Sequence, residues 1–198
     1  FGKNMTSMKK PPDLYDVLIV GGGAAGLFCA AHLSGLRVAV LEKRERPARK
    51  LLMTGKGRCN LTNDCTRDEF LAAVARNPRF LYSAFSALSP QDIMRFFEER
   101  GVPLKVERGR RVFPASDSAR DIVDALVNAA RAAGADILTG EAESLLFEDG
   151  ADGVRRVQGV RLSGGRELRA GATVIATGGM SFPATGSNGD GYRLAGEA

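Results

Sequence analysis

The run Gly21-Gly22-Gly23-Ala24-Ala25-Gly26 constrains this chain more than any other feature. It follows a short apolar stretch rich in β-formers, Tyr15 to Val20, and opens a tightly packed helical stretch, Ala24 to Leu33. Leu36 to Leu41 is a second apolar strand, ending at Glu42. Strand, helix and strand within roughly 30 residues make a right-handed βαβ crossover whose strands lie in a buried parallel sheet. In the pattern G-x-G-x-x-G each glycine has a physical task. Gly21 permits a tight turn, Gly23 lets the backbone approach a pyrophosphate at the helix N-terminus formed with Ala24 and Ala25, and Gly26 allows the helix to pack closely on the strand. Glu42, about 20 residues on, stands where a carboxylate accepts hydrogen bonds from an adenosine ribose, and its charge disfavours a 2′-phosphate. A bare tight turn with a solvated glutamate would explain the same residues, but the strand–turn–helix context argues against it.

Bulk properties fit this reading. With 44% apolar and 26% charged residues the chain has an ordinary globular composition, and one domain is the default expectation. No apolar run approaches the ~18 residues of a membrane span, which disfavours a membrane partner or a signal peptide. Residues 1–12, ending in Pro11 and Pro12, read as a tail outside the fold. Three cysteines, Cys29, Cys59 and Cys65, form no even disulfide framework, so they are expected reduced, in the cytoplasm. The net charge is +5, with pI about 9.4. Much of the basic excess lies between Lys43 and Arg58, directly after the first motif, where a phosphate-bearing small molecule accounts for it. Nucleic acid is disfavoured, because no aromatic platform accompanies those charges.

Beyond Asn63, helical patterns cover Arg67 to Ala75, Arg79 to Leu88 and Pro90 to Arg100, the last capped by Ser89. They form a helical segment rather than sheet. Ser116 is placed to cap a longer helix from about Asp117 to Ala133. Asp136 to Thr139 reads as a strand. Glu143 to Phe147, Val154 to Leu162 and Arg166 to Arg169 alternate in polarity and read as an antiparallel meander. Ala172 to Ala176 returns to a buried apolar strand, and a helix starting after Gly189 has no terminator.

That last strand runs into Thr177-Gly178-Gly179, and Thr173 to Gly179 resembles the Ala-Thr-Gly element of glutathione-reductase-type flavoproteins. The resemblance favours FAD over NAD as the bound dinucleotide. The loop from Arg49 to Asn63 and the stretch from Met180 to Gly191 together resemble the BaiN/YhiN-type family of NAD(P)/FAD-dependent oxidoreductases. The likeness runs from about Asp16 to the end of the chain. It implies an α/β, Rossmann-like FAD-binding domain over 13–198: a mostly parallel sheet, a small antiparallel meander and a helical segment. It also implies a substrate domain and a C-terminal return that this sequence does not contain. By the same resemblance, backbone groups of Thr54 to Asn60, including Gly57, Arg58 and Cys59, border the ribityl chain and isoalloxazine. Ala142 meets the adenine, and Thr177 and Gly178 enter the FAD site. Independently, the cations of Lys50 and Arg58 with amides freed by Gly55 and Gly57 suit a pyrophosphate or the anionic edge of reduced flavin.

The expected activity is a flavin oxidoreductase that accepts hydride from NAD(P)H, bound transiently, and reduces an organic small-molecule acceptor. No catalytic acid or base is legible. His32, the single histidine, lies on the first helix and reads as a surface or packing residue, and no metal-ligand spacing occurs. Three alternatives remain open at this point. One is a dithiol flavoprotein using Cys59 and Cys65, whose spacing is one residue wider than the usual redox pair. The others are a non-catalytic dinucleotide-binding module and an RNA-associated flavoprotein using the Lys43 to Arg58 charges. Cys29, in the packed helix, reads as core.

Overall fold

The computed structural model describes residues 13–181, 183, 186 and 188–198. The expected tail 1–12, and Phe182, Ala184, Thr185 and Ser187 of the second family-like stretch, lie outside the described residues. In chain order the elements are β1 Leu14–Val20, α1 Ala24–Ala31, β2 Val38–Glu42, α2 Arg49–Met53, β3 Thr62–Asn63, α3 Arg67–Ala73, α4 Tyr82–Ala87 and α5 Pro90–Glu98. There follow β4 Leu104–Glu107, β5 Arg111–Pro114, α6 Ala119–Ala132, β6 Asp136–Thr139, β7 Ala142–Asp149, β8 Arg155–Leu162, β9 Glu167–Ile175 and α7 Asp190–Ala195. The chain divides into two compact units: residues up to Pro47 with Ala130–Ala198, and Ala48–Ala129.

The first unit is built on a six-stranded sheet in the order β6-β2-β1-β9-β8-β7. The strands β6, β2, β1 and β9 run parallel, while β8 and β7 add an antiparallel ribbon on the β9 side. Leu18, Ile19, Val38, Ala39 and Val40 are essentially inaccessible, as a parallel sheet covered on both faces requires. Leu18, Val20 and Leu41 share one cluster with Val160, Leu168 and Leu194, so the meander and α7 contribute to the same core as the βαβ unit. Along β7, which is the outer strand, Arg193 donates to the carbonyls of Ala142 (3.0 Å) and Glu143, and Glu197 accepts from the Leu145 amide at 2.7 Å.

The third meander strand and the strand expected at Ala172 to Ala176 are one element, β9. Its N-terminal part pairs with β8 (Gly159↔Arg169, Arg161↔Glu167), and from Arg169 to Ile175 it pairs with β1 (Leu14↔Arg169 through Val20↔Ile175). Gly171 does not break it. A glycine in a strand costs roughly 0.5–1 kcal/mol, less than a run of ladder hydrogen bonds at about 1 kcal/mol each. The end of β9 is also less buried than expected, with Ala172 and Ile175 exposed.

In the second unit the helices are joined by a sheet that the sequence did not foretell, β3-β5-β4, with Leu104↔Pro114 and Val106↔Val112 in antiparallel register. Its strands are two to four residues long and carry Lys105, Glu107 and Arg111, so no alternation develops, although Val112 and Phe113 are fully buried. Ser89 caps α5 as expected, in a capping box with Asp92, and Thr66 with Glu69 does the same for α3. The pattern from Arg79 to Leu88 is divided into a 3-10 turn, Pro78–Leu81, and α4. Helix α6 is capped by Ser118, whose Oγ accepts from the Arg120 amide at 3.3 Å, and not by Ser116. Asp117 sits at φ 57, outside the helical region, so the helix cannot start beside Ser116.

Within the first unit, α1 lies so close to β1 that a Cβ on Gly26 would fall 2.0 Å from the Gly21 carbonyl oxygen and 3.2 Å from Ile19 Cγ2. Both neighbours are held by the sheet and its turn, so they cannot yield without moving the helix. Gly26→Ala is therefore expected to cost about 3 kcal/mol or more, the upper range for overpacking. Urea denaturation of the variant, or its failure to accumulate as soluble protein, checks this.

Candidate functional site

The four parallel strands end in line. Val20 is opposite Leu41 and Ile175, and Glu42 is opposite Thr139. Just past these ends the Gly21 amide donates to the Leu41 carbonyl (2.7 Å), the Ala176 amide to Val20 (2.8 Å) and the Gly140 amide to Glu42 (2.9 Å). The first motif and Thr177-Gly178 are thereby side by side at the carboxyl ends of β1 and β9. The chain leaves β1 toward β2 on one side, while β9 borders the other. Such a switch point is where open α/β sheets bind ligands.

Gly21 has φ 113, and a Cβ there would lie 2.5 Å from the Ala176 oxygen, so the two loops touch backbone to backbone. Gly23 differs from its neighbours in having nothing within 4 Å of where a Cβ would stand. It is the N-cap of α1, provides no side-chain cap, and is followed by a first turn without an acidic residue. Ala24 and Ala25 are exposed. An uncapped helix N-terminus with a bare approach offers free amides and the positive end of the dipole to an anion.

Glu42 accepts the Gly22 amide at 3.0 Å with one carboxylate oxygen and the Arg44 amide at 2.9 Å with the other. A carboxylate has about four acceptor sites, so capacity remains for a ribose hydroxyl. Sequence reasoning missed the contact to Gly22, by which the acidic residue also fixes the glycine turn. Lys43 is tied down: its Nζ is 2.6 Å from Asp190 and 2.9 Å from Asn188. Ala142 is buried at the start of β7, two residues past Gly140 and its bond to Glu42. Thr177 Oγ1 is buried with no hydrogen-bond partner among the described residues. A buried hydroxyl in that state costs free energy that a ligand acceptor or donor recovers.

The remaining expected residues lie in the second unit. Gly55 and Lys56 adopt φ near 60 and Cys59 has φ 60, so Thr54 to Asn60 is a tight knot in which the Cys59 amide donates to the Thr54 carbonyl at 3.0 Å. Gly57 and Asn60 are exposed, as is Lys50. Arg58 is no loose cation. It meets Glu107 at 2.8 Å and Asp117 at 3.2 Å and lies 4.2 Å over the Phe113 ring. His32 is a surface residue whose Nδ1 is 2.8 Å from the Phe28 carbonyl oxygen. Among the described residues no acidic, histidine and cysteine side chains gather as a metal site, and no helix is long and apolar enough to cross a membrane.

Comparison with known proteins agrees with this geometry. The HI0933-like protein Rossmann domain matches residues 15–198. The chain belongs to that family. The chain is also similar to a ribosomal RNA dihydrouridine synthase of Escherichia coli, 32% identical over 184 residues, covering 91% of this chain and 44% of the relative. A 3-dehydro-bile acid delta(4,6)-reductase of Clostridium scindens is 32% identical over 181 residues, covering 89% and 42%. The chain thus spans less than half the length of these curated relatives. Among solved structures, Thermovibrio ammonificans THI4 shares the fold at TM-score 0.60 and 21% identity, over 83% of this chain and 58% of that one. The HI0933-like chain is an FAD-binding Rossmann domain. Its uncapped α1 terminus, the open face of Gly23 and the orphan Thr177 hydroxyl fit that cofactor.

For this HI0933-like domain the cysteines argue against thiol chemistry. Cys59 and Cys65 are buried, and all three cysteines are free thiols. Burial pushes the Cys59 and Cys65 thiols above their ordinary range, whereas a redox pair needs accessible thiolate. Cys29, expected in the core, is only half-buried. Native protein at neutral pH is expected to leave Cys59 and Cys65 unalkylated by iodoacetamide over minutes, and Cys59→Ser with Cys65→Ser to leave flavin reduction intact. Mass spectrometry and flavin absorbance read the two outcomes.

Proposed function

We propose that this domain is the nucleotide-binding part, residues 13–198, of an FAD-dependent reductase that takes a hydride from NAD(P)H and adds hydrogen across a double bond conjugated to a carbonyl in an organic acceptor. The observation that carries the reading is the meeting of the Gly21–Gly26 turn with Thr177-Gly178 beside Glu42. Bound there, FAD would supply the relay that accepts hydride from the nucleotide and gives it to the acceptor, while a proton completes the addition. The chain's part is to bind and orient. Amides at Gly23, Ala24 and Ala25 receive the pyrophosphate, Glu42 accepts from the adenosine ribose, Ala142 borders the adenine, and the Thr177 hydroxyl gains a partner. Within the second unit, Arg58 holds the Thr54 to Asn60 knot against β4 through Glu107. Lys43 acts through Asp190, keeping the start of α7 at the end of β2.

The acceptor class has support from the names of the relatives. Dihydrouridine is uridine with its C5–C6 bond saturated, and a delta(4,6)-reductase acting on a 3-oxo steroid removes the same kind of conjugated bond. A uracil in RNA is the acceptor favoured over a free small molecule, because two curated relatives carry the ribosomal RNA name and the net charge is +5. This revises the initial reading, in which nucleic acid was disfavoured.

Anaerobic addition of NADPH or NADH to the complete protein is expected to bleach the oxidised-flavin absorbance, and an acceptor containing uracil in RNA to restore it. Flavin left oxidised by both nucleotides would overturn the reductase reading in favour of a binding module. Glu42→Ala is expected to weaken FAD binding by about 1–3 kcal/mol, the scale for a charged hydrogen-bond acceptor. An unchanged dissociation constant in folded protein sinks the ribose assignment.

A further inference from the structure

The turn that follows α3 carries side chains that neither the FAD site nor the core of its unit uses. From Phe70 to Gln91 the chain has no acidic residue, and its two cations are Arg76 and Arg79. Both are exposed, and among the described residues neither guanidinium has an ion-pair or hydrogen-bond partner. Other arginines of this unit, Arg58, Arg67, Arg95 and Arg110, each meet a carboxylate. Four aromatics share the stretch, Phe70, Phe80, Tyr82 and Phe85. Phe85 is spent on packing, its ring 4.4 Å from that of Phe70. Phe80 is instead 83% exposed and Tyr82 48%.

The backbone here is fixed rather than loose. Asn77 takes φ 55, Pro78 opens the 3-10 turn, and the Ser86 hydroxyl donates to the Tyr82 carbonyl at 2.9 Å. Arg79 and Tyr82 are three apart and so are neighbours on a helical surface. A single exposed aromatic needs no explanation, but two of them on a rigid turn with two unneutralised guanidiniums offer π-faces and positive charge together. The complementary ligand has flat bases and spaced negative charges, which is unpaired nucleic acid.

We infer that the Arg76–Tyr82 turn is a docking surface for unpaired RNA, with Phe80 and Tyr82 stacking on bases and Arg76 and Arg79 meeting phosphates. The inference rests on the reading of RNA as the acceptor-bearing partner. It is tested on the complete, FAD-loaded protein by fluorescence anisotropy of a labelled single-stranded RNA oligonucleotide of mixed sequence, titrated at several salt concentrations. Phe80→Ala with Tyr82→Ala is expected to raise the dissociation constant about thirtyfold or more, the scale of two lost base stacks. Arg76→Gln with Arg79→Gln is expected to lower the slope of log K against log salt by about 1.4, or ~0.7 for each phosphate contact on a single strand. Flavin content and reduction by NADPH stay at wild-type level in both. RNA binding by the wild type that neither variant alters overturns the surface and leaves the acceptor reading standing. A wild type that binds no RNA overturns both. Phe80→Leu separates stacking from packing: lost flavin or a lowered melting temperature would make Phe80 a contact with another part of the protein and overturn the inference. Equal binding of all variants to phosphatidylserine vesicles, with none to RNA, would do the same.

Discussion

The parallel pairing of β9 with β1 is the constraint on which the rest depends. It brings two loops far apart in sequence to one sheet end, and the backbone contact of Gly21 with Ala176 leaves no room for a side chain between them. Long-range parallel pairing carries a loop-closure cost that local contacts do not repay. Here the return comes from a single cluster shared by Leu18, Leu41, Val160 and Leu168, so the meander that β9 also joins helps to hold it against β1. The dinucleotide cradle is a by-product of that closure, since Gly23 and Thr177 are presented by the same event.

Within the cradle, groups assigned a ligand role also have a structural one. Glu42 holds the Gly22 amide, so the turn is shaped by the residue expected to receive the ribose. This makes the site preorganised: the carboxylate need not be recruited from solvent when adenosine arrives, and less ordering is required on binding. Lys43 shows the opposite allocation, its charge being satisfied by Asp190 and Asn188.

Much of this was legible in the sequence. The βαβ unit, the ends of β2 and β6, the cap at Ser89 and the nucleotide motifs follow from periodicity and from glycines whose tasks are local. What was not legible depends on partners distant in sequence. The sheet β3-β5-β4 has strands too short and too charged to alternate, and is recognisable only once Val112 and Phe113 are buried. The merger of two expected strands into β9 needed β8 as a template at its start and β1 from Arg169 on. The pairing of Arg58 with Glu107 and Asp117 was hidden for the same reason. The exposed Phe80 and Tyr82 carry a signal in the sequence: the basic run from Lys43 to Arg58 has no aromatics, whereas a cation-and-aromatic mixture without acids lies further on, between Phe70 and Gln91.

The last consequence concerns the outer edge of the six-stranded sheet. Among the described residues strand β7 has a neighbouring strand on one side, and its other side would ordinarily be a template for a strand from another molecule. Arg193 and Glu197 use their side chains as a counterfeit strand, taking the carbonyls of Ala142 and Glu143 and the amide of Leu145. Arg193 of α7 and Glu197 just past its end thereby do the work of an extra strand, and the first half of β7 is closed to intermolecular zippering.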